Sequence, residues 1–440
     1  MEFSLPGKFF MDNFPGRLLL TLLFSSLLYS AGISAETDDY PVIYAIKIVG
    51  NHVTNEALIK REMKLVPGEA ADPELLEIDR NHLLSLGVFN QVELSFVTDL
   101  GRAVVLVRVT ERFYIYPYPI FQYDPKRPER RVLGLSISHY NFRGNAERLT
   151  CAWWDGYERG IYLLHRDPWF SIGGRYGIRT QILFNDSEII SPEGVPYRAI
   201  TESYLVRARR RLDSYRWLGI EIEWQERASK GQFYTISGSG RDRILNTSLL
   251  YEAEKRDYVY YARSGYYFTT TLTASRMIDT THSYYSEFAD FRIYKSLGRV
   301  TLALRLSGET THQQIPWYRQ PELSVLDIRS KAPLELKASG FVATNLELRF
   351  NIVPVRYFSF PEIPLAGRYL QKMRFSVEGL LFVDRSYLEY RGHQKNAGFT
   401  ACGCGLQFQL PYVEVGHAVI GWDPGTRSRP IFVVGTGVTF

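Results

Sequence analysis

The sequence predicts a mainly β protein in two parts: a small α+β domain of β-α-α-β-β order, then a sixteen-stranded antiparallel transmembrane β-barrel. Three observations predict this fold class. The N-terminus has the layout of a secretory signal. Residues 41–112 contain both strand and helix patterns. From Phe113 onward, a two-residue alternation of apolar and polar side chains replaces helical periodicity in segment after segment.

The N-terminal segment has the features of a cleaved export signal over residues 1–35. Lys8 and Arg17 precede an apolar run over residues 18–28, and small residues follow up to Ala35. This order is typical of a secretory signal peptide. The alternative is a short membrane anchor, but the run is only about half the length that a spanning helix needs. We therefore expect an exported chain without a transmembrane helix.

The composition allows a folded core and argues against several functions. Hydrophobic residues make up 45% of the chain and charged residues 22%, so disorder is not expected. The net charge of +5 is weak and forms no separate basic stripe, which argues against a nucleic-acid partner. Cys151, Cys402 and Cys404 are too few for a disulfide framework. They have no His or Cys partner at ligand spacing, so we expect no metal and no cofactor.

The pattern of residues 41–112 predicts one small domain. A first alternating segment ends at the turn signal Gly50-Asn51. Helix formers follow Thr54, and Asp72-Pro73 begins a second helix. Two further alternating segments complete the β-α-α-β-β order in a length that suits a single domain.

Residues 113–440 predict a barrel. In residues 133–138 and 300–307, apolar and small or polar side chains alternate, which indicates strands with one apolar face. A soluble sandwich would also give this pattern. Export, a charged polar face and aromatic clusters at segment ends, as in residues 258–261, favour a membrane barrel. At roughly 20 residues per strand with its connection, the region holds about sixteen strands, closed because lipid cannot satisfy a free sheet edge.

Several short segments match the motifs of a known family. Ile48-Val49-Gly50-Asn51, residues 83–89 and Glu111-Arg112 match the start, middle and exit of its small domain, and Asn141-Phe142-Arg143-Gly144 matches its first barrel hairpin. The chain thus resembles the outer-membrane protein assembly family, which includes BamA, TamA and the two-partner secretion transporters. This resemblance implies a polypeptide-transport-associated (POTRA) domain over residues 41–112 and a sixteen-stranded barrel over residues 113–440.

The resemblance also implies a lock inside the barrel. Ile328-Arg329-Ser330-Lys331 is similar to a lumenal loop motif of the family, with its arginine kept but its glycine and aromatic residue replaced. Phe382-Val383-Asp384 matches the family's Phe-x-Asp wall motif, and alternation places Glu347 on the lumenal face. By position, Arg329 would pair with Asp384 and Glu347 and lie against Phe382. The alternative is that these residues are ordinary lumenal charges.

A weak seam between the first and last strands is a further implication. We expect these strands at Val132–Phe142 and Ile431–Phe440. Glycines in the closing strand would reduce side-chain packing there, and the terminal aromatic residue resembles the insertion signal of outer-membrane barrels. The predicted seam residues are Asn141, Gly144, Gly435, Gly437, Val438 and Phe440.

These features predict a protein that inserts or translocates unfolded outer-membrane or secreted protein clients. The barrel would lie in the outer membrane in contact with lipid, with the POTRA domain in the periplasm, and accessory lipoproteins are compatible partners. Two alternatives remain, a secretion pore dedicated to one partner protein and a passive porin-like barrel. No H-E-x-x-H, G-x-S-x-G or P-loop pattern occurs, so we expect no enzyme activity. His393 with nearby acids is the one weak candidate for a hydrolase at the barrel rim.

Overall fold

The computed structural model describes residues 40–124, 127–170, 175–190, 195–229, 235–324, 327–330, 336–364, 367–390, 396–411, 414–426 and 429–436. All elements given below belong to one compact unit, Val42–Phe440. The predicted signal peptide lies outside the described residues. Within the described ranges, no helix is both long and apolar enough to cross a membrane.

The N-terminal domain is a three-stranded sheet with two helices. Its elements are strand β1 (Ile43–Val49), helix α1 (Glu56–Glu62), helix α2 (Pro73–Ser85), strand β2 (Phe89–Asp99) and strand β3 (Arg102–Glu111). β3 is the central strand, parallel to β1 and antiparallel to β2. The predicted β-α-α-β-β order is confirmed.

A cap and a buried carboxylate fix the two helices. The Asp72 side chain accepts a hydrogen bond from the backbone N–H of Glu74 at 2.8 Å, which caps the first turn of α2. On the same helix, the buried Asp79 carboxylate accepts the backbone N–H groups of Lys64 at 2.8 Å and Leu65 at 2.9 Å. Burial raises the pKa of Asp79, and these two hydrogen bonds oppose that rise. They fasten the loop between the helices to α2.

The rest of the chain forms the predicted sixteen-stranded antiparallel sheet, and each strand pairs with its neighbours in the sheet order. The strands are β4 (Ile115–Asp124), β5 (Arg127–Phe142), β6 (Glu147–Gly156), β7 (Arg159–Asp167), β8 (Tyr176–Ile190), β9 (Pro196–Arg211), β10 (Arg216–Ser229), β11 (Arg241–Glu254), β12 (Gly265–Met277), β13 (Ser283–Leu297), β14 (Val300–His312), β17 (Gly340–Phe358), β18 (Met373–Glu389), β19 (Ala397–Leu410), β20 (Glu414–Trp422) and β21 (Ile431–Thr436).

Alternation along each strand separates the two faces of the barrel wall. On β5, Leu133, Leu135 and Ile137 are exposed on the outer face, while Ser138 is buried on the inner face. On β17 the outward Leu346 and Leu348 alternate with buried polar residues. The outer face is therefore apolar and suited to lipid, and the inner face is polar, as the period-two pattern predicts.

A long segment connects β14 to β17 and returns across the lumen. It contains a 3₁₀ turn at Trp317–Arg319 and a short antiparallel pair, β15 (Glu322–Leu323) with β16 (Leu336–Lys337). Residues 327–330 of this segment, here named the loop tip, lie buried against the strands β17 and β18. Among the described residues after Phe113, this pair forms the only sheet separate from the sixteen-stranded one.

The expected first strand of the barrel is wrong by one strand. Val132–Phe142 lies within β5, the second strand, and β4 precedes it with β5 as its paired neighbour. Asn141 and Gly144 therefore lie at the turn between β5 and β6, away from the seam. There Asn141 donates to Thr54 Oγ1 at 2.9 Å, and the Gly144 carbonyl accepts the N–H of Asn55 at 3.0 Å. The motif matched as the first hairpin is the second, and it contacts the N-terminal domain.

Candidate functional site

Arg329, at the loop tip, binds two carboxylates of the barrel wall. Its Nε lies 2.9 Å from Asp384 Oδ2 and its Nη2 lies 2.6 Å from Asp384 Oδ1, a bidentate pair. Its backbone N–H donates to the same carboxylate at 3.1 Å, and Nη1 donates to Glu347. The three side chains are at most 1% exposed. The structure thus brings together the predicted loop arginine and both predicted acids.

The carboxylates are themselves satisfied by neighbours on β17. Arg349 Nε donates to Glu347 Oε2 at 2.8 Å, and Asn345 Nδ2 donates to Asp384 Oδ1 at 2.9 Å. Two arginines thus face two carboxylates, so the buried cluster carries no net charge. This balance matters because an unpaired charge in such a position would cost several kcal/mol of desolvation.

Phe382 and two glycines shape the space that the arginine occupies. The guanidinium carbon of Arg329 lies 3.8 Å from the Phe382 ring centroid, a cation–π contact. A methyl group at Gly403 would overlap the Phe382 ring, and one at Gly421 would overlap the Arg329 carbonyl. Sequence reasoning missed both glycines as site residues, although glycines on the polar face of β19 and β20 were the available signal.

Further contacts hold the loop tip on either side of Arg329. Asp327 Oδ1 accepts from Arg305 Nη1 at 2.8 Å, and the Asp327 carbonyl accepts from Ser386 Oγ at 2.9 Å. Ile328 is 1% exposed and packs with apolar residues of β18 and β20. Lys331, the last residue of the predicted motif, lies outside the described residues. The loop tip is therefore fixed to the wall by polar and apolar contacts together.

The first strand of the barrel presents an edge that is poor in hydrogen-bond donors. Tyr140 N–H donates to Tyr114 O at 2.9 Å, which directs the backbone groups of Tyr114 and of every second residue after it toward β5. The intervening residues of β4 direct their backbone groups toward the free edge. Pro117 and Pro119 belong to this second set, and a proline has no N–H. The free edge therefore offers carbonyls without the matching donors at two positions.

The last strand, β21, pairs with β20, and no pairing with β4 occurs within the described residues. Gly435 lies opposite His417, and a methyl group at Gly435 would overlap the imidazole ring. Gly437, Val438 and Phe440 lie outside the described residues. Of the predicted seam residues, the structure thus describes only Gly435 at an edge strand.

Comparison with known proteins identifies the N-terminal domain and finds solved structures with a similar overall fold. The POTRA model, a surface antigen variable number repeat, matches residues 41–112. BamA from Haemophilus ducreyi lacking POTRA domains 1-3 has a similar structure, with a TM-score of 0.53 and 13% identity over 90% of this chain and 84% of that chain. The chain therefore contains a POTRA domain over residues 41–112, and its fold as a whole is similar to that of BamA.

Two structures of CdiB share the fold of this POTRA-plus-barrel protein. CdiB from Escherichia coli has a TM-score of 0.50 and 10% identity over 95% of this chain and 96% of that chain. CdiB from Acinetobacter baumannii has the same score and identity over 90% of this chain and 73% of that chain. A search of curated proteins by sequence finds no match. At these identities the structural likeness concerns the fold alone.

In the POTRA domain, the predicted turn lies at a close approach between strands. Gly50 has φ +92°, and a side chain there would overlap the Val109 carbonyl of β3. Asn51 Nδ2 donates to the Thr54 carbonyl at 3.1 Å and so closes the loop before α1. Glu111, 4% exposed at the exit of the domain, accepts the N–H of Thr54 at 2.7 Å. These contacts are structural in kind.

The POTRA domain rests on the turns at one end of the barrel, here named the POTRA-side end and formed by residues 143–146, 212–215, 359–364 and 367–372. Asn90 Nδ2 donates to the carbonyls of Tyr369 at 2.8 Å and Gln371 at 2.9 Å. Glu62 of α1 forms an ion pair with Arg211 at 3.1 Å. Sequence reasoning missed these contacts, since no local pattern signals them.

Side chains that could support catalysis or bind a metal are scattered in the described residues. Among the described residues, no group of three or more His, Cys, Asp or Glu side chains could hold a metal ion. Cys151, Cys402 and Cys404 are free thiols on the barrel wall. His393, the weak hydrolase candidate, lies outside the described residues. The loop tip and the edge of β4 are therefore the two candidate functional sites of the described barrel.

Proposed function

We propose that this protein inserts or translocates protein clients at the outer membrane, with its POTRA domain in the periplasm and without enzyme chemistry. Unfolded outer-membrane or secreted proteins are the proposed clients, and lipid surrounds the barrel. The observation that carries the proposal is the donor-poor edge of β4. A barrel that only conducts solutes gains nothing from such an edge, whereas a barrel that exchanges strands needs one.

The physical argument begins with the cost of an unpaired backbone in lipid. Each unsatisfied N–H or C=O group in hydrocarbon costs several kcal/mol, so a stable barrel closes with a full ladder of hydrogen bonds. On β4, Pro117 and Pro119 each leave an opposing carbonyl of the closing strand without a donor. Closure by the chain's own last strand is thereby weakened, which makes replacement by a client strand energetically accessible.

The other parts fit the same proposal. The POTRA sheet ends in β1 and β2. Ile43, at the start of β1, is bonded to Gly68 and Glu69, so the outer edge of β2 is the one to which we propose that an extended client segment adds by backbone hydrogen bonds. The Arg329 cluster joins the loop tip to β17 and β18, the fifth and fourth strands counted from β21. These strands are thus braced from the lumen, so that movement at the seam need not disrupt the rest of the barrel.

A secretion pore dedicated to one partner protein is the second candidate, favoured by the charged inner wall of the barrel. Depletion in living cells separates the candidates. Reduced levels of many other outer-membrane barrels support insertion, whereas loss of a single secreted protein supports dedicated secretion. A large, steady conductance of the purified protein with unchanged levels of all other envelope proteins would indicate the passive channel and overturn the proposal.

The prolines allow a direct test. Pro117→Ala together with Pro119→Ala restores two N–H donors at the free edge, so we expect tighter closure and lower client levels. Closure is measured as disulfide formation between Phe121→Cys and a cysteine at Phe432 or Val434, after the three native cysteines are replaced by serine. Pro354→Ala is the matched control, because this proline lies on β17, away from both edge strands. Equal crosslinking and equal client levels in all variants would contradict the role of the edge.

A further inference from the structure

Four arginines stand side by side across four neighbouring strands of the barrel. In the strand register, Arg148 of β6 lies opposite Arg166 of β7, Arg166 lies opposite Arg179 of β8, and Arg179 lies opposite Arg207 of β9. These residues, here named the arginine row, share one face of the sheet because directly opposed residues point the same way. On the far side of Arg207, the register ends the row at Glu221 of β10.

The row faces the lumen. Its members alternate with outward apolar residues such as Leu163 and Val206, which are 40% and 50% exposed on the outer face. Arg207 forms an ion pair with Glu221 at 2.7 Å. For Arg148, Arg166 and Arg179, no carboxylate lies within ion-pair distance anywhere in the part of the chain that the structure describes. The row therefore carries an excess of positive charge.

The partners of the row within the barrel wall are mostly neutral: Arg148 donates to Thr150 Oγ1 at 3.3 Å, and Arg179 donates to Gln181 Oε1 at 2.7 Å. Like charges directly opposite one another destabilise a sheet, and the electrostatic neighbours Arg148 and Arg179 repel Arg166, with Glu252 of β11 as the attracting acid. The loop tip is neutralised by its own acids, so it does not need these arginines. Three neighbouring arginines without a carboxylate, beside a fourth that is paired with Glu221, point to an anionic ligand that the chain itself does not supply.

The position of the row identifies where the ligand would pass. Arg166 precedes the last residue of β7, and Arg207 lies four residues before the end of β9. Both ends belong to the POTRA-side end, where Arg211 contacts Glu62 of the POTRA domain at 3.1 Å. Arg209 is the next inward-facing residue after Arg207 on β9. Its guanidinium carbon lies 4.3 Å from the centroid of the Trp217 ring. The row thus lines the barrel mouth next to the POTRA domain.

We propose that the arginine row binds the carboxylates of an extended, acidic segment of client polypeptide as it enters the lumen. Adjacent strands lie about 4.8 Å apart, so four strands place the row over roughly 14 Å. Alternate side chains of an extended chain are about 6.7 Å apart, so three carboxylates span nearly the same length. Arginine donates to carboxylates in bidentate geometry, and its long side chain adjusts the remaining mismatch. This inference rests on the proposed function and names a client class for it.

A small anion and a lipid are weaker explanations. A single phosphate group can contact only neighbouring members of the row, which leaves the others unpaired. A lipid headgroup would approach from the outer face, while the row lies on the inner face. An extended polypeptide is the ligand that matches both the length of the row and its place on the lumenal wall.

The test measures peptide binding to the purified full-length protein in detergent, by fluorescence anisotropy. The probe is a peptide of about ten residues that alternates glutamate with threonine, and its control carries glutamine for each glutamate. The test variant combines Arg166→Gln with Arg179→Gln. The matched control combines Arg216→Gln with Arg241→Gln, which removes the same charge from arginines that are 53% and 59% exposed outside the row.

We expect the glutamate peptide to bind, the glutamine peptide not to bind, and the test variant to bind at least about tenfold more weakly than the matched control. Raising the salt from about 0.05 M to about 0.5 M should also weaken binding. Equal binding of the two peptides overturns the proposal and needs no variant. Displacement of the glutamate peptide by inorganic phosphate at matched ionic strength also overturns it, because the site would then be one for small anions.

The outcome is separable from that of the proposed function. Client levels on depletion, and the response to the two proline variants, do not involve the arginine row. If those assays support client insertion while the glutamate peptide fails to bind, the inference about acidic segments alone is wrong. If depletion changes no client, the proposed function is wrong whatever the peptide does.

Discussion

Replacing Arg329 by alanine should release the loop tip from the barrel wall. The substitution removes two side-chain hydrogen bonds to Asp384 and one to Glu347, all at positions no more than 1% exposed. Asp384 still accepts a hydrogen bond from the neutral Asn345 side chain, and Glu347 still accepts one from the charged Arg349 side chain. The cluster nevertheless changes from neutral to a net charge of one negative unit.

The magnitude follows from this burial. Removing one partner of a buried ion pair costs about 3–5 kcal/mol, because the remaining carboxylate stays desolvated. A loss of about 3 kcal/mol from the docking free energy raises the open population of the loop by about two orders of magnitude. Arg329→Lys keeps the charge but cannot form the bidentate pair, so we expect a smaller loss of about 2 kcal/mol.

Amide hydrogen exchange of the loop measures the effect. The amides of Asp327 and Ala338 bond to Ser324 O and Pro321 O, both at 3.0 Å within the loop, and should exchange about a hundredfold faster in Arg329→Ala. Arg241→Ala is the control, since this arginine is 59% exposed and its pair with Glu226 should contribute less than about 1 kcal/mol. Wild-type exchange rates in Arg329→Ala would refute the reasoning that the buried pairs hold the loop.

Two further predictions concern the space around the loop tip and the POTRA contact. Gly421→Ala should free the loop as Arg329→Ala does, because the new methyl group overlaps the Arg329 carbonyl. Gly416→Ala on the same strand is the control. Its methyl group meets nothing closer than 3.8 Å, so amide hydrogen exchange of the loop should stay unchanged. Burial, with Lys64 and Arg211 nearby, lowers the pKa of His82 to about 4 from 6.5. The unfolded state therefore binds the proton first as pH falls, so stability of the POTRA domain drops by about 2 kcal/mol between about pH 7.5 and about pH 5. His82→Gln should abolish that slope in exchange measurements at the two pH values, and an unchanged slope would exclude His82 as its source.

The inner and outer faces of the wall could be predicted because alternation is a local property. Asn345, Glu347 and Arg349 share one parity in the sequence, and all three are buried on the inner face. The same reasoning placed Phe382 and Asp384 inside. Their meeting with Arg329, in contrast, was implied by family resemblance, since nothing local relates residue 329 to a strand more than fifty positions later.

Features that depend on strand register could not be predicted. The arginine row is invisible in the sequence because its four members lie on four strands, and only pairing shows that they are opposed. The contacts of Asn141 and Gly144 with the POTRA domain were missed for a related reason. A turn motif indicates that the chain reverses, but it contains no information on which surface the turn will meet.

The missed first strand connects the sequence to the proposed mechanism. Prolines weaken any prediction of a strand, because each removes a ladder donor, and β4 contains Pro117 and Pro119 within ten residues. A strand with two such gaps is tolerated only where the affected side has no permanent partner. The hydrogen bond from the Tyr140 N–H to the Tyr114 carbonyl shows that the positions without an N–H face away from β5. The two prolines therefore explain both why β4 is hard to predict as a strand and why it lies at an edge of the sheet. An edge that lacks these donors favours exchange of partner strands over stable closure.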